Sequence, residues 1–236
     1  MTHGIIFDYG GTIDSRGVHW SEVIWGAYCA ERVPIDKDTF RDAYVYAERE
    51  LARVRHIEPQ DDFHTLLRKK MTIELMGLEE HGHELGQPLP QLADALARRC
   101  DDAARTCIEE ARPVLEMLST SYPMMLVSNF YGNVDSVLRA YDVRRYFKGV
   151  IESAVVGVRK PNPTLFRLGV DALELPASEV LVVGDSLKKD IVPALSLGCT
   201  AIWLKGKGWT ADEDTQHHPQ GDRFTIARLS EVLDII

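Results

Sequence analysis

The apolar positions of the chain follow two patterns, which predict different elements. Short, continuous apolar runs occur at the N-terminus and throughout the second half, and such runs are typical of buried strands in a parallel sheet. Stretches of helical periodicity separate the later runs. The runs are Gly4 to Phe7, Met124 to Val127, Val150 to Val155, Val180 to Val183 and Thr200 to Leu204. This alternation predicts an α/β fold, with a doubly wound, mainly parallel sheet and helices on both faces.

Residues 18–111 have a different, amphipathic pattern. Apolar side chains recur every three or four positions from Phe40 to Val54 and from Phe63 to Met71, and a further helical stretch follows the break around Pro88. We predict four or five helices here, which form a helical-bundle cap domain inserted into the core. The core then comprises residues 1–17 and 112–236. Pro113 suits the first turn of a helix, the stretch 206–221 is predicted to be a surface loop, and a last helix is expected around Leu229 to Ile235.

Composition and charge exclude several classes of protein. The 236 residues are 45% hydrophobic, and the formal net charge of −9 argues against nucleic acid or an anionic membrane as a partner. No apolar run approaches the roughly 18 residues of a membrane span, and no signal-peptide pattern is present, so a cytoplasmic location is expected. The four cysteines form no CxxC pair, and the pairs His81/His83 and His217/His218 match no metal-binding spacing.

Candidate chemistry begins where the first apolar run ends. Asp8 opens the turn Asp8-Tyr9-Gly10-Gly11-Thr12. In open α/β sheets the ligand crevice lies at the carboxyl ends of the strands. A carboxylate placed there can attack phosphorus and form an aspartyl phosphate. Because Asp is also a common turn residue after a strand, this turn alone is a weak signal.

Three later segments make the signal specific. The second strand ends in Ser128-Asn129, a loop carries Lys160 followed by Pro161, and the fourth strand leads into Gly184-Asp185-Ser186, with Asp190 close behind. In this order the four segments resemble the motifs of the haloacid dehalogenase-like (HAD) hydrolase superfamily. The resemblance covers nearly the whole chain, because residues 18–111 have the size and helical character of the family's cap.

The resemblance implies a role for each of these residues. Asp8 is expected to be the nucleophile and also a ligand of Mg²⁺, which takes one or two carboxylates together with substrate phosphate. Asp185 and the backbone carbonyl of Gly10 are the other expected metal ligands. Ser128 and Asn129 are expected to bind the substrate phosphate, Lys160 to supply positive charge to phosphate and nucleophile, and Ser186 and Asp190 to orient the groups around the metal. The substrate would be a small phosphorylated compound. No oligomeric state follows from the sequence.

Gly10 departs from the family pattern, because most HAD phosphatases have a second Asp at that position. That residue protonates the leaving oxygen and later activates water, a general acid–base role worth about 10² to 10⁴ in rate. The dehalogenase branch also lacks this acid, but it does not keep the Gly-Asp-Ser metal segment present here. Asp14 is a possible substitute acid, although a role as a cap of the turn is the simpler prediction.

Several functions therefore stay open. The first is a Mg²⁺-dependent phosphatase acting on a small phosphorylated metabolite. The alternatives are a phosphonate or acyl-phosphate hydrolase and a non-catalytic protein that senses phosphate or binds a partner. Phosphonoacetaldehyde hydrolases use a cap lysine as a Schiff base, but the possible lysines have polar neighbours that predict solvated helix faces: Lys37, Lys69 and Lys70. The cap is expected to close over the site. Its aromatic residues are interpreted as core rather than as site: Trp20, Trp25, Tyr28 and Tyr44.

Overall fold

The computed structural model describes residues 1–236 and contains a single six-stranded sheet. All neighbouring strands are parallel, in the order β3-β2-β1-β4-β5-β6. The strands are β1 (Gly4–Phe7), β2 (Met124–Ser128), β3 (Gly149–Glu152), β4 (Val180–Gly184), β5 (Thr200–Leu204) and β6 (Thr225–Ile226). From the central β1 the chain first builds one side of the sheet and then returns to build the other. The predicted doubly wound parallel sheet is confirmed.

The central strands are apolar along their whole length because both faces of the sheet are covered. Successive side chains of a strand point to opposite faces. Ile5 and Phe7 accordingly pack into one apolar cluster, whereas Ile6 packs into a second cluster with residues of α7 (Thr164–Leu173) on the other face. Burial on both sides explains why β1 and β4 read as continuous apolar runs rather than as alternating ones.

Four long helices lie between β1 and β2, in agreement with the predicted bundle. They are α1 (Trp20–Ala30), α2 (Lys37–Arg53), α3 (Phe63–Glu80) and α4 (Leu89–Ser119). The side chains of Asp36 and Asp62 cap α2 and α3 by accepting hydrogen bonds of 2.8 Å from backbone N–H groups. Helix α3 packs against both α2 and α4. The bundle belongs to the same apolar cluster as one face of the sheet.

The remaining helices are short and flank the later strands. They are α5 (Val134–Ala140), α6 (Ser153–Val156), α7, α8 (Val192–Ser196) and α9 (Ala211–Asp214). None of the helices combines the length and apolar character that crossing a bilayer requires.

Pro113 does not begin a helix. It lies inside α4, which runs unbroken through 31 residues, so that prediction was wrong. A proline inside a helix removes one backbone hydrogen bond, but Val114, Leu115 and Leu118 stay buried on the far side of it and hold the helix against the core. The division into a core (1–17 and 112–236) and a cap (18–111) stays a prediction, and its second boundary falls within this helix.

Three further expectations differ from the structure. The strand expected over Val150 to Val155 ends at Glu152, because residues 153–156 turn into α6 and Gly157 ends that helix with a left-handed backbone. The last helix is a 3₁₀-helix over Leu229–Asp234. The stretch 206–221 contains α9, and its Trp209 packs at 5.4 Å from the ring of Tyr44, so it is not simply a surface loop.

The helical bundle contains a buried acid, Glu74 of α3. Its Oε2 accepts a hydrogen bond of 3.1 Å from the hydroxyl of Tyr28, and its Oε1 has no partner. Burial raises the pKa of Glu74 to about 7, although the nearby Lys70 charge and the Tyr28 hydrogen bond lower it, and the Glu48 charge raises it further. The native protein therefore holds a proton on Glu74 at pH values at which the unfolded chain has already lost it.

This difference predicts how pH affects stability. Between pH 4.5, the usual pKa of a glutamate, and about pH 7, the native state binds more protons than the unfolded chain. The contribution of Glu74 to stability therefore falls as pH rises through this window. Glu74→Gln, which keeps an acceptor for Tyr28, is expected to be more stable than wild type at pH 8 by up to about 3 kcal/mol and nearly unchanged at pH 5. Thermal unfolding of both proteins at the two pH values measures this. An identical pH dependence in both proteins would contradict it.

Candidate active site

The sequence-predicted residues converge at the carboxyl edge of the sheet. Asp8 follows β1, Ser128 ends β2 and Asp185 follows β4. Because β1 lies between β2 and β4, these three strand ends are neighbours. The chain also reverses its direction of winding between β1 and β4, and crevices at such switch points are where open α/β sheets bind ligands.

Lys160 reaches this edge from the loop after α6 and is almost fully buried. Its Nζ donates hydrogen bonds to Asp8 Oδ1 and Asp190 Oδ1, each at 2.6 Å, and to the carbonyl of Val127 at 3.1 Å. Burial opposes the charged form of this lysine, but Asp190 and Asp8 together outweigh it and raise its pKa. Since all three N–H donors are used within the protein, Lys160 is a fixed positive charge beside Asp8.

Asn129 holds the Lys160 loop in place. Its Oδ1 accepts the backbone N–H of Lys160 at 2.9 Å, and its Nδ2 donates to the carbonyl of the same residue at 3.1 Å. The side-chain amide of Asn129 thus binds both backbone polar groups of Lys160. Ser128 and Asn129 both line the cavity described below.

Three carboxylates crowd around the single charge of Lys160. Oxygen atoms of Asp8, Asp185 and Asp190 lie within 4.8 Å of one another. Both carboxylate oxygens of Asp190 have partners within the protein. Oδ1 accepts a hydrogen bond from Lys160, and Oδ2 accepts the backbone N–H of Ser186 at 2.9 Å. Burial, together with the charges of Asp190 and Asp8, raises the pKa of Asp185 well above its usual range. This excess of buried negative charge over positive charge, with oxygen donors only, fits a hard divalent cation such as Mg²⁺.

Two residues of the first loop, to which no role was assigned from the sequence, shape the site. The Thr12 hydroxyl lies 3.4 Å from Asp8 Oδ2 and 3.3 Å from Asp185 Oδ1, so it bridges the two acids. Gly11 has a φ of +97°, and a Cβ there would lie 2.3 Å from the carboxyl group of Asp185. Only glycine fits, because the backbone must turn left-handed and pass close to that acid.

Gly10 lies in the cavity and has space around it. A Cβ at Gly10 would meet nothing closer than the Trp20 ring at 3.9 Å. Trp20 in turn donates from Nε1 to Asp14 Oδ2 at 3.0 Å, and Asp14 Oδ1 accepts the N–H of Gly11 at 2.7 Å. Burial raises the pKa of Asp14 to about 8. Both oxygens of Asp14 are therefore used to fix the turn, and Asp14 is not among the residues that line the cavity.

A cavity of about 600 Å³ lies over Asp8, and residues of α1, α2 and α3 line it together with loops of the core. Trp20 and Tyr44 line it and also pack in or against the apolar cluster, whereas Trp25 and Tyr28 pack there without lining the cavity. Lys70 lines it as well and is only 3% exposed, so the prediction of a solvated helix face for this lysine was wrong. Sequence reasoning also missed other lining residues contributed by the cap and the loops: His19, Glu48, Tyr131 and Trp209.

A family comparison agrees with this geometry. The model of the haloacid dehalogenase-like hydrolases matches residues 2–198, which include Asp8, Lys160 and Asp185. The chain belongs to the HAD-like hydrolase family. The resemblance inferred from the four motifs is thereby confirmed.

Curated relatives of this HAD-like chain include phosphatases. A glyceraldehyde 3-phosphate phosphatase of Methanocaldococcus jannaschii is 35% identical over 95 residues, which cover 40% of this chain and 40% of that protein. A phosphoglycolate phosphatase of Vibrio parahaemolyticus is 29% identical over 122 residues, which cover 51% of this chain and 52% of that protein. The chain thus spans about half the length of these relatives or less.

Solved HAD structures match over the whole chain. The HAD hydrolase YfnB of Bacillus subtilis, described as bound to magnesium, superposes with a TM-score of 0.60 at 19% identity and covers 99% of this chain and 98% of its own. The L-2-haloacid dehalogenase PA0810 gives a TM-score of 0.59 at 19% identity and full coverage of both chains. At such identities the likeness shows the fold alone.

Proposed function

We propose that this HAD-like protein is a phosphatase that hydrolyses small phosphate monoesters through a phosphorylated Asp8. The observation that carries the proposal is the buried ion pair in which Lys160 contacts Asp8 at 2.6 Å. A carboxylate fixed beside a permanent positive charge, at the bottom of a cavity, is suited to attack an anionic phosphorus centre. A site that only binds an anion would not place a free carboxylate there, because that charge would repel the ligand.

The residues divide the chemistry among them. Asp8 attacks phosphorus through one carboxylate oxygen while the P–O bond to the leaving alcohol breaks. Ser128 contributes its hydroxyl to a phosphoryl oxygen, and the charge of Lys160 offsets the negative charge on the phosphoryl group. Asn129 positions Lys160, and Asp190 holds the same lysine from the other side. Water then hydrolyses the aspartyl phosphate and regenerates Asp8.

Asp8, Asp185 and the Gly10 carbonyl are the groups proposed to hold Mg²⁺, with Ser186 and Asp190 orienting the surrounding groups. Bound there, the ion would neutralise charge on the phosphoryl oxygens. A cytoplasmic location stays a prediction from the sequence.

The missing acid at Gly10 leaves one rival reaction open. Acyl phosphates release a carboxylate, and phosphonates activated as a Schiff base release a neutral enamine, so neither reaction needs an acid that protonates an alkoxide. The Schiff-base version of phosphonate cleavage is disfavoured, because Lys70 forms an ion pair with Glu48. Burial opposes the charged form of Lys70, but Glu48 outweighs it and raises the lysine pKa well above its usual value. A protonated amine cannot attack a carbonyl group.

A substrate panel with and without Mg²⁺ tests the proposal. Aryl and alkyl phosphate esters, acyl phosphates, phosphonates and a 2-haloacid should be assayed in parallel. Hydrolysis of p-nitrophenyl phosphate that requires Mg²⁺ is expected. Cleavage restricted to phosphonates or to the haloacid would replace the phosphatase proposal, and no turnover of any compound would favour a non-catalytic role.

A further prediction concerns the metal. Asp185→Asn is expected to weaken Mg²⁺ binding by about 10²-fold or more, because it removes a charged ligand from a site whose affinity depends on carboxylate charge. Calorimetric titration with Mg²⁺ measures the affinity, and thermal unfolding checks the fold. The matched control is Asp171→Asn, since Asp171 is exposed on α7. An affinity unchanged in Asp185→Asn would remove this residue from the metal site.

A further inference from the structure

The helical side of the cavity carries a second charged group. Glu48 of α2 and Lys70 of α3 form an ion pair there, and both residues line the same cavity as Asp8. The pair shares this cavity with any phosphate ester bound at Asp8. It is therefore placed to select among leaving groups.

Glu48 is ionised and held in a fixed orientation. Burial raises the pKa of Glu48, but the charge and hydrogen bond of Lys70 and the hydrogen bond from Tyr131 outweigh it, so the pKa is lowered. The Tyr131 hydroxyl donates to Glu48 Oε1 at 2.8 Å. Tyr131 follows Ser128 by three residues, which limits the distance between their Cα atoms to about 11 Å. Glu48 is thus tied to the loop that carries the phosphate-binding serine.

The ion pair presents an acceptor to the cavity rather than a donor. Lys70 is 4% exposed in its side chain, and its Nζ lies 4.1 Å above the ring of Tyr44, so its charge is enclosed. Glu48 is 33% exposed in its side chain. Lys70 and Tyr131 both bind Oε1. The Oε2 atom of Glu48 is the one left for a ligand.

One ionisable neighbour of Glu48 adds no positive charge at pH 7. His19, on the same side of the cavity, has a pKa lowered to about 4 by burial and by the charges of Lys189 and Lys70, so it is neutral at pH 7. Trp20 and Trp209 supply aromatic surface. Apart from Lys70 and the buried Lys160, the cations of the lining are exposed: Arg159, Lys188 and Lys189. Of these, the charge of Lys189 contributes to the lowered pKa of Glu48.

We propose that Glu48 is a specificity-determining residue that accepts a hydrogen bond from a hydroxyl group of the leaving alcohol, so that the substrate is the phosphate ester of an uncharged polyol rather than of a hydroxy acid. This inference rests on the proposed phosphatase function. A hydroxyl satisfies Oε2, whereas a carboxylate in the same place meets a like charge, and such repulsion is an effective means of discrimination.

Two esters with the same carbon skeleton test this. Glycerol 3-phosphate and 3-phosphoglycerate differ in a hydroxymethyl group against a carboxylate, and their inhibition constants against hydrolysis of p-nitrophenyl phosphate compare binding without depending on their own turnover. Wild type is expected to bind glycerol 3-phosphate at least about tenfold more tightly. Glu48→Gln keeps an oxygen for Lys70 and Tyr131, and the preference should shrink at least about fivefold.

The control is Glu50→Gln. Glu50 belongs to the same helix and pairs with Arg53, but it does not line the cavity, so the preference should stay at the wild-type value. Equal or tighter binding of 3-phosphoglycerate by wild type overturns the inference, and this result does not depend on whether Glu48→Gln folds. It would mean that the exposed cations of the lining, rather than Glu48, bind the leaving group. An unchanged preference in folded Glu48→Gln overturns it too. If wild type fails to hydrolyse p-nitrophenyl phosphate, the phosphatase function fails, while calorimetric dissociation constants for the two esters still test Glu48.

Discussion

Asp8→Asn is expected to lower the hydrolysis of p-nitrophenyl phosphate by about 10⁴-fold or more, in the range found when nucleophiles of covalent mechanisms are removed. The amide cannot form the aspartyl phosphate. It also removes one of the two carboxylates that contact Lys160, but Asp190 and the Val127 carbonyl still hold the lysine, so the fold should survive. Steady-state kinetics with Mg²⁺ measure the loss of activity, and thermal unfolding confirms the folded state.

Beryllium fluoride gives a second measure of the same carboxylate. It mimics a phosphoryl group on a carboxylate, and a ligand that binds only the native state raises the unfolding temperature. With Mg²⁺ it should stabilise wild type and the control Asp212→Asn, which alters an exposed acid of α9, but not Asp8→Asn. Equal stabilisation of all three proteins would place the anion elsewhere.

Gly10→Asp is expected to raise the turnover of alkyl phosphates by up to about 10² to 10⁴. A poor alkoxide leaving group gains most from a proton donor, so the increase should be smaller for p-nitrophenyl phosphate. The structure has room for the change, because the first added carbon would be 3.9 Å from the Trp20 ring and Gly10 is not among the glycines with positive φ. Kinetics on a series of esters with graded leaving groups measure the effect.

Gly10→Asn separates acid–base chemistry from a change of shape. It has nearly the same size as the Asp variant but cannot exchange the proton, and it should show no gain on alkyl phosphates. If Gly10→Asp folds, binds Mg²⁺ and gains nothing on any ester, the missing acid does not limit this protein. The phosphonate or acyl-phosphate proposal would then be the better one.

The core of the candidate site was predictable from sequence because it depends on topology. Asp8, Ser128 and Asp185 each end or follow an apolar run, and parallel strands bring their carboxyl ends to one edge. Lys160 was identified only through its resemblance to a family motif. Its contacts with Asp8 and Asp190 join residues 152 and 30 positions apart, and no local pattern contains that information.

The ion pair of Glu48 and Lys70 in the cavity was not predicted, for a different reason. Lys70 was expected in solvent because charged residues usually are, yet it pairs with Glu48 on another helix. A signal was present: Lys70 and Glu74 occupy the same stripe of α3 as the apolar Leu66, Leu67 and Met71. A charged residue at a core position requires a buried partner, but the sequence does not say which residue supplies it.

The unbroken course of α4 has a mechanical consequence. At 1.5 Å per residue its 31 residues form a rod of about 46 Å. The rod spans both the helical bundle and the flank of the sheet, whereas the other link between them is the short loop after Asp8, with Gly17 at a φ of +78°. The bundle is thus attached to the sheet by one long helix and by one short, hydrogen-bonded loop. A movement of the bundle away from the sheet would require α4 to bend. Pro113, which removes one backbone hydrogen bond of that helix, is the position at which we expect the bend.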